Sequence, residues 1–202
     1  MFTRRAEQKP QLITAGNPKS LTLMFTFHKE YSEARSCAKT WMNDHLQHRV
    51  YAGFPNSSQQ SDLGLHWARE EQAVFEAEKL FHTFQTPVKT TPEHVLLSGA
   101  GQGGSLAIRL ALTGQLFSPS TFFVWEPALT NLPQWETLLK HADKDVQGWL
   151  IASHMSASTT QHEAFIDMCE YFDVDCRYII RQSPPSQLPT DFHALINEAL
   201  TF

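Results

Sequence analysis

The stretch HVLLSGAGQGGSLA, residues 94–107, decides the fold of this chain. Residues 94–98 are mostly apolar and predict a buried β-strand. Gly99, Gly101 and Gly103 then predict a sharp turn, because glycine adopts backbone angles that other residues avoid. A helix rich in Leu and Ala is expected over residues 104–116. A strand, a tight turn and a helix in this order are typical of parallel sheets whose strands are connected by helices.

The same alternation extends over the rest of the chain. Short apolar runs bounded by turn residues predict further strands at 21–27, 49–52, 121–125, 148–152 and 176–181, with a loop at 53–58. Segments with helical periodicity lie between them, and the clearest are 31–46 and 66–84. Two further helices are indicated by apolar residues that share one face: Phe165, Met168, Cys169 and Phe172 in the first, and Leu195, Ile196, Ala199 and Leu200 in the C-terminal one. This pattern predicts an α/β fold, a three-layer αβα sandwich with a mostly parallel sheet. At 202 residues the expectation is a single domain over 1–202.

Composition excludes several classes of partner. The formal net charge of -5 and the scattered Lys and Arg residues argue against nucleic acid as the partner. No apolar run approaches the ~20 residues that a membrane-spanning helix requires, so no membrane segment is expected. Three cysteines without metal-type spacing favour a reducing cytoplasm over a disulfide framework.

The glycine-rich turn allows two interpretations. The pattern Gly99-x-Gly101-x-x-Gly104 matches the dinucleotide fingerprint, in which glycines let a pyrophosphate approach a helix N-terminus. Glu126, after the following strand, would then bind a ribose. However, about ninety residues with two predicted strands precede the motif, whereas this fingerprint usually opens its sheet.

The second interpretation is a nucleophile elbow, G-x-S-x-G, which lifts a serine above the sheet. Here the register gives Gly99-Ala100-Gly101-Gln102-Gly103, with Gly101 where the serine would stand. The stretch resembles the G-F-S-Q-G-G-x-x-A elbow of the small carboxylesterase/phospholipase family of α/β hydrolases.

Further matches extend this resemblance over most of the chain. Residues 23–28 lie where the family has its first long strand and oxyanion loop, and residues 51–55 lie where it has a marked loop. Trp67 precedes the long helix before the elbow, and residues 189–192 (PTDF) resemble a Pro-x-x-Phe that follows the catalytic histidine. The resemblance implies an α/β-hydrolase fold and an ancestral esterase chemistry.

That chemistry requires a nucleophile, a base and an orienting carboxylate. In the implied register Gly101 replaces the serine and cannot attack a carbonyl. Met155, in a segment without carboxylates, stands at the acid position, and Ser186 stands at the histidine position. Three replacements at otherwise suitable spacing predict a degenerate triad and no conventional esterase activity.

A site can still bind a ligand when its catalytic triad is absent. The amide of Gln102, with Gly103 beside it, is the expected oxyanion donor, and His28, Phe27 and His154 are further candidates for the cleft. A small acyl or anionic ligand is the expected partner, in a ligand-binding or regulatory protein. No metal or cofactor is expected, because the ten histidines lack metal-type spacing. The resemblance also implies a homodimer, since members of that family often dimerise.

Two other functions stay open beside the dinucleotide interpretation. A residual hydrolase would use another serine, and the candidates are Ser98, Ser105 and Ser186. Ser98 is more simply a packing residue of the strand, and Ser105 a helix-capping residue. A purely structural role, with the cleft filled by side chains, is the last alternative.

Overall fold

The computed structural model describes residues 12–118 and 120–201. Its centre is a seven-stranded sheet with the strand order β1-β3-β2-β6-β7-β8-β9. These strands are β1 Leu12–Gly16, β2 Thr22–Phe27, β3 Tyr51–Pro55, β6 His94–Ala100, β7 Thr121–Trp125, β8 Gln147–Ser153 and β9 Asp175–Arg181. Only β1 is antiparallel to its neighbour, and all the other pairs are parallel. A separate small hairpin consists of β4 Gln60–Ser61 and β5 Gly64–Leu65.

Helices cover both faces of this sheet. Their bounds are α1 Ala34–Trp41, α2 Asp44–Arg49, α3 Glu70–Gln85, α4 Gly101–Thr113, α5 Leu132–Lys140, α6 Thr159–Tyr171 and α7 Phe192–Ala199. Buried residues of α1, α2 and α7 join one apolar core, and those of α3, α4, α5 and α6 join the other. The predicted three-layer αβα sandwich with a mostly parallel sheet is confirmed.

The strands separate the two cores by simple alternation. On β2, Leu23, Phe25 and Phe27 belong to the core under α3 and α4, whereas Met24 belongs to the core under α1 and α7. Successive side chains of a strand point to opposite faces, so an apolar run with both faces covered feeds both cores. This is why the predicted strands are apolar throughout.

Several element bounds differ from the sequence prediction. The single helix expected at 31–46 is wrong, because the chain turns between α1 and α2 and the Asn43 side chain caps α2 by accepting a hydrogen bond from Leu46 N at 2.9 Å. Strand β3 continues to Pro55, where a loop was expected. The edge strand β1 and helix α5 were not predicted. No helix among the described residues is long and apolar enough to cross a membrane.

Candidate functional site

The turn from β6 into α4 lies at the carboxyl end of a central strand, where parallel sheets place their binding sites. Gly101 begins α4 with a φ of +53°, in the left-handed region that favours glycine. Gly103 packs so closely on the end of β2 that a Cβ atom there would lie 2.6 Å from Phe27 O and nearer still to His28 O. Close packing of the backbone therefore explains why glycine is needed in this turn.

A carboxylate occupies the site where the side chain of residue 101 would lie. Gln102 N donates a hydrogen bond to Glu30 Oε2 at 3.0 Å. A Cβ atom on Gly101 would lie 2.9 Å from the carboxyl carbon of Glu30 and closer to Oε2. The charge is well placed, because the N-terminus of a helix attracts anions. The amide that the sequence indicates as an oxyanion donor is thus already engaged by the chain itself.

The loop of residues 28–33 holds Glu30 in this place. Tyr31 N donates to Leu65 O at 2.7 Å, and Ser32 bridges to Leu65, so the loop is fastened to the β4–β5 hairpin. Tyr31 adopts a φ of +61°, an unfavourable value for a bulky residue. Gln102 contributes from the other side, since its Oε1 accepts from Trp67 N at 2.9 Å. Several segments of the chain therefore fix the position of Glu30.

His28 supports this loop from the interior. Its Nε2 accepts a hydrogen bond from Ser57 N at 3.2 Å, so the proton resides on Nδ1, which donates to Lys29 O at 2.8 Å. The ring also packs on Trp67 with centroids 5.0 Å apart. Burial lowers the pKa of His28 below its usual value, despite the opposing effect of the Lys29 carbonyl. His28 is buried and is not among the described residues that line the cleft.

Glu126 provides a second carboxylate at the same end of the sheet. It follows β7 with a φ of +48° and accepts hydrogen bonds from Ser153 N and Ser156 Oγ. It thereby anchors the loop after β8, the segment in which the resemblance places the triad acid. The sequence suggested Glu126 only as a ribose ligand, and its position after an apolar strand was the signal that it would reach this edge.

An open cleft of about 410 Å³ lies above the turn. The residues that line it include Glu30, Trp41, Gly101, Trp125, Glu126 and Ser186. The cleft has the size of a small-molecule site and combines an apolar wall with a few polar groups. It is not filled by side chains, which argues against a purely structural role.

The other residues singled out by the sequence lie elsewhere. Phe27 is fully buried and packs against Trp67, with ring centroids 5.5 Å apart. His154 is exposed and its amide donates to Arg181 O at 2.9 Å, in line with the end of β9. Met155 is 64% exposed. Of the three triad positions, Gly101 and Ser186 are among the described residues that line the cleft, and Met155 is not.

Two of the three candidate serines use their hydroxyl groups within the protein. Ser98 is fully buried on β6, and its Oγ shares a hydrogen bond with Thr26 Oγ1 at 2.6 Å. Ser105 Oγ donates to Ala128 O at 2.8 Å. Ser186 is exposed in the cleft. No histidine is found among the described residues of the cleft wall, and within 12–118 and 120–201 no group of three metal-ligating side chains could hold an ion.

The geometry also bears on the dinucleotide interpretation. A pyrophosphate on the fingerprint would need the amides at the start of α4, but Glu30 holds the amide of Gln102. The motif lies on β6, after β2 and β3, and not on the first strand of the sheet. Both observations favour the elbow interpretation.

Comparison with known proteins bears on the fold. No protein-family model matches the chain, and no curated protein matches its sequence. Solved structures do match: an uncharacterized protein from Bacillus cereus ATCC 10987 has a TM-score of 0.75 and 19% identity over 98% of this chain and 63% of that one. Esterase PE8 has a TM-score of 0.64 and 14% identity, covering 95% and 96% of the two chains. A phospholipase/carboxylesterase from Dyadobacter fermentans DSM 18053 has a TM-score of 0.62 and 13% identity, covering 98% and 99%.

At these identities the comparison establishes the fold. This chain spans 63% of the length of the Bacillus cereus protein, whereas the two enzymes match it almost end to end. The parallel sheet and the left-handed turn between β6 and α4 point to the same fold as these neighbours. The chain has an α/β-hydrolase fold.

Proposed function

We propose that this chain is a catalytically degenerate α/β-hydrolase homologue, a small-ligand-binding or regulatory protein without conventional esterase activity. One observation carries the proposal: the Glu30 carboxylate, and not a serine hydroxyl, lies beside Gly101 and accepts the Gln102 amide hydrogen.

Acyl transfer at such a turn fails for two separate reasons. Glycine supplies no nucleophile, and loss of a serine-triad unit typically lowers kcat about a million-fold. The residual rate of such variants comes from oxyanion stabilisation and binding. Here Glu30 places negative charge on the Gln102 amide, where a tetrahedral intermediate would develop its own. Removal of one oxyanion donor typically costs another 10²–10³-fold, roughly.

The binding part of the proposal rests on the cleft. Its volume, about 410 Å³, suits a small molecule. The sequence favoured a small acyl or anionic ligand, but such a ligand has to displace Glu30 before it reaches Gln102 N. The cytoplasmic location and the homodimer stay predictions from sequence.

Steady-state hydrolysis of p-nitrophenyl acetate and butyrate tests the absence of esterase activity. We expect no enzyme-dependent rate above background, and no change in Ser98→Ala, Ser105→Ala or Ser186→Ala. A kcat/KM in the ordinary enzymatic range, about 10⁴ M⁻¹s⁻¹ or more, that is lost in one of these variants would establish the unconventional hydrolase instead.

A further inference from the structure

We propose that the cleft binds a small organic cation, an amine or a quaternary ammonium group, with Glu30 and Glu126 as its charged partners. This inference rests on the proposed binding function and names the ligand class. Both side chains line the cleft and both residues are partly buried. Among the ion pairs of the described residues, none includes either carboxylate. Partly desolvated charges of one sign favour a ligand of the other sign.

The two carboxylates are held in place before any ligand arrives. Glu126 receives hydrogen bonds on both oxygens, from Ser153 N and Ser156 Oγ. Glu30 is fixed through Oε2 by Gln102 N, and its Oε1 accepts no hydrogen bond from the described residues. Each carboxylate oxygen has further lone pairs that can accept from an ammonium group. Because the acceptors are already ordered, a ligand does not have to supply the free energy of ordering them.

Backbone strain is found at the same place. Tyr31 and Glu126 are two of the three non-glycine residues with positive φ in the described chain, and each belongs to a segment that bears one of the carboxylates. Such backbone angles cost of order 1–3 kcal/mol and persist where the surrounding structure imposes them, often at binding sites. The strain at Tyr31 and Glu126 thus coincides with the two groups that the proposal uses.

The other residues of the cleft wall favour an organic cation over a metal ion or an anion. Trp41, Trp125 and Leu188 give the cleft an apolar side that can cover alkyl groups. A bare metal ion is disfavoured, because the described residues offer no group of three ligating side chains. A carboxylate or phosphate would approach two like charges. Lys29 is the one cation among the described residues of the wall, but it is exposed, so water screens its charge.

Butylamine and butyrate form a matched pair of probes, since they share a carbon chain and differ in the sign of their charge. We expect butylamine and choline to shift the backbone ¹H–¹⁵N signals of Gly101 and Gln102 saturably, and butyrate to leave them unchanged. Glu126→Gln and Glu30→Gln should each weaken butylamine binding by about tenfold or more, because a charged hydrogen bond is lost. Lys29→Gln should change it little, because water already screens that exposed charge. The control Glu71→Gln changes an exposed carboxylate of α3 and should have no effect.

The outcomes separate this inference from the proposed function. Saturable shifts with butyrate but not butylamine would overturn the cation class and leave the cleft as an anion site. No shift with any of the three probes would overturn the inference as well. Equal affinities in wild type, Glu126→Gln and Glu30→Gln would remove both carboxylates from the binding of amines. None of these results depends on the ester-hydrolysis assay, which tests the absence of esterase activity.

Discussion

The turn between β6 and α4 and the loops after β8 and β9 differ in how well they match the nucleophile-elbow interpretation. The turn has a left-handed residue, closely packed glycines and the Gln102 amide at the start of a helix, as that interpretation predicts. The loops after β8 and β9 lack the side chains that the interpretation requires, since residues 153–158 contain no carboxylate and position 186 is a serine. The backbone of this site therefore fits the elbow interpretation better than its side chains do.

The difference follows from what each part contacts. A side chain on Gly103 would collide with backbone oxygens of β2 and the residue after it, so the glycine is required for folding. Met155 and Ser186 are exposed, and their replacement costs the fold little. Packing therefore requires glycine at position 103, whereas the packing of the fold does not determine the residues at positions 155 and 186.

The largest expected effect belongs to the turn. Gly103→Ala places a Cβ atom 2.6 Å from Phe27 O and closer to His28 O, and backbone atoms cannot move aside cheaply. We expect the free energy of unfolding to fall by about 3 kcal/mol, measured by urea denaturation.

Gly104→Ala is the matched control, in the same turn of α4. Its Cβ would approach Gly99 O and Pro127 Cβ at 3.3 Å, which is tight but tolerable. Alanine also gains about 1 kcal/mol of helix propensity over glycine. Gly104→Ala should therefore be close to wild type, and equal losses in the two variants would contradict the packing argument.

Gly101→Ser restores the hydroxyl alone. We expect a loss of about 2 kcal/mol, because serine must adopt the left-handed φ and must expel the Glu30 carboxylate. No ester hydrolysis should appear, since no base is restored. In the double variant with Glu30→Ala part of the stability should return, which a double-mutant cycle by urea denaturation measures. Strict additivity would show that Glu30 does not occupy the space beside residue 101.

The His28 support should make stability depend on pH. Its pKa is lowered in the folded state, so below about pH 6.5 the unfolded chain binds a proton that the folded chain does not. The free energy of unfolding should fall with decreasing pH by at most about 1.4 kcal/mol per unit, and this contribution should be constant above pH 7.5. NMR titration of His28 gives its folded pKa directly.

Two variants isolate the His28 contribution from those of the other histidines. The pH dependence should be weaker in His28→Gln, and it should be unchanged in His82→Gln, which alters an exposed residue of α3. A His28 ring that titrates at or above its usual pKa would refute the assignment.

The loop after β8 should tolerate change with the smallest effect. Met155→Asp returns a carboxylate to the position that the resemblance gives to the triad acid. Because Met155 is 64% exposed and lies away from the described cleft wall, stability should change by no more than about 0.5 kcal/mol. Ester hydrolysis should stay absent. Thermal denaturation checks the first expectation, and a rate gained by this single change would show that a nucleophile and a base are already present.

The strand, turn and helix around Gly101 could be predicted because their signals are local. Apolar residues of β6 and the glycines that follow are adjacent in sequence, and the fold class followed from repetition of such units. Helix α5 was missed because Pro133 suggested an interruption, although proline in the first helical turn lacks only an N–H that would be unpaired there. Strand β1 is a short, half-exposed edge strand with a weak apolar pattern.

The contact of Glu30 with the turn could not be predicted from local sequence signals. It contacts Gln102, 72 residues further along the chain, and no spacing rule connects the two. The left-handed Tyr31 and the β4–β5 hairpin that hold it are likewise consequences of tertiary contacts. The sequence predicted the Gln102 amide as an oxyanion donor, whereas in the structure this amide donates to the Glu30 carboxylate.

Intact-mass analysis after incubation with a fluorophosphonate tests the central claim most directly. This reagent reacts with serines that a base and an oxyanion site activate. Since Gly101 has no hydroxyl group and Glu30 occupies the Gln102 amide, the protein should keep its unmodified mass under conditions that label an active esterase completely. A stoichiometric adduct that peptide mapping assigns to Ser98, Ser105 or Ser186 would contradict the account.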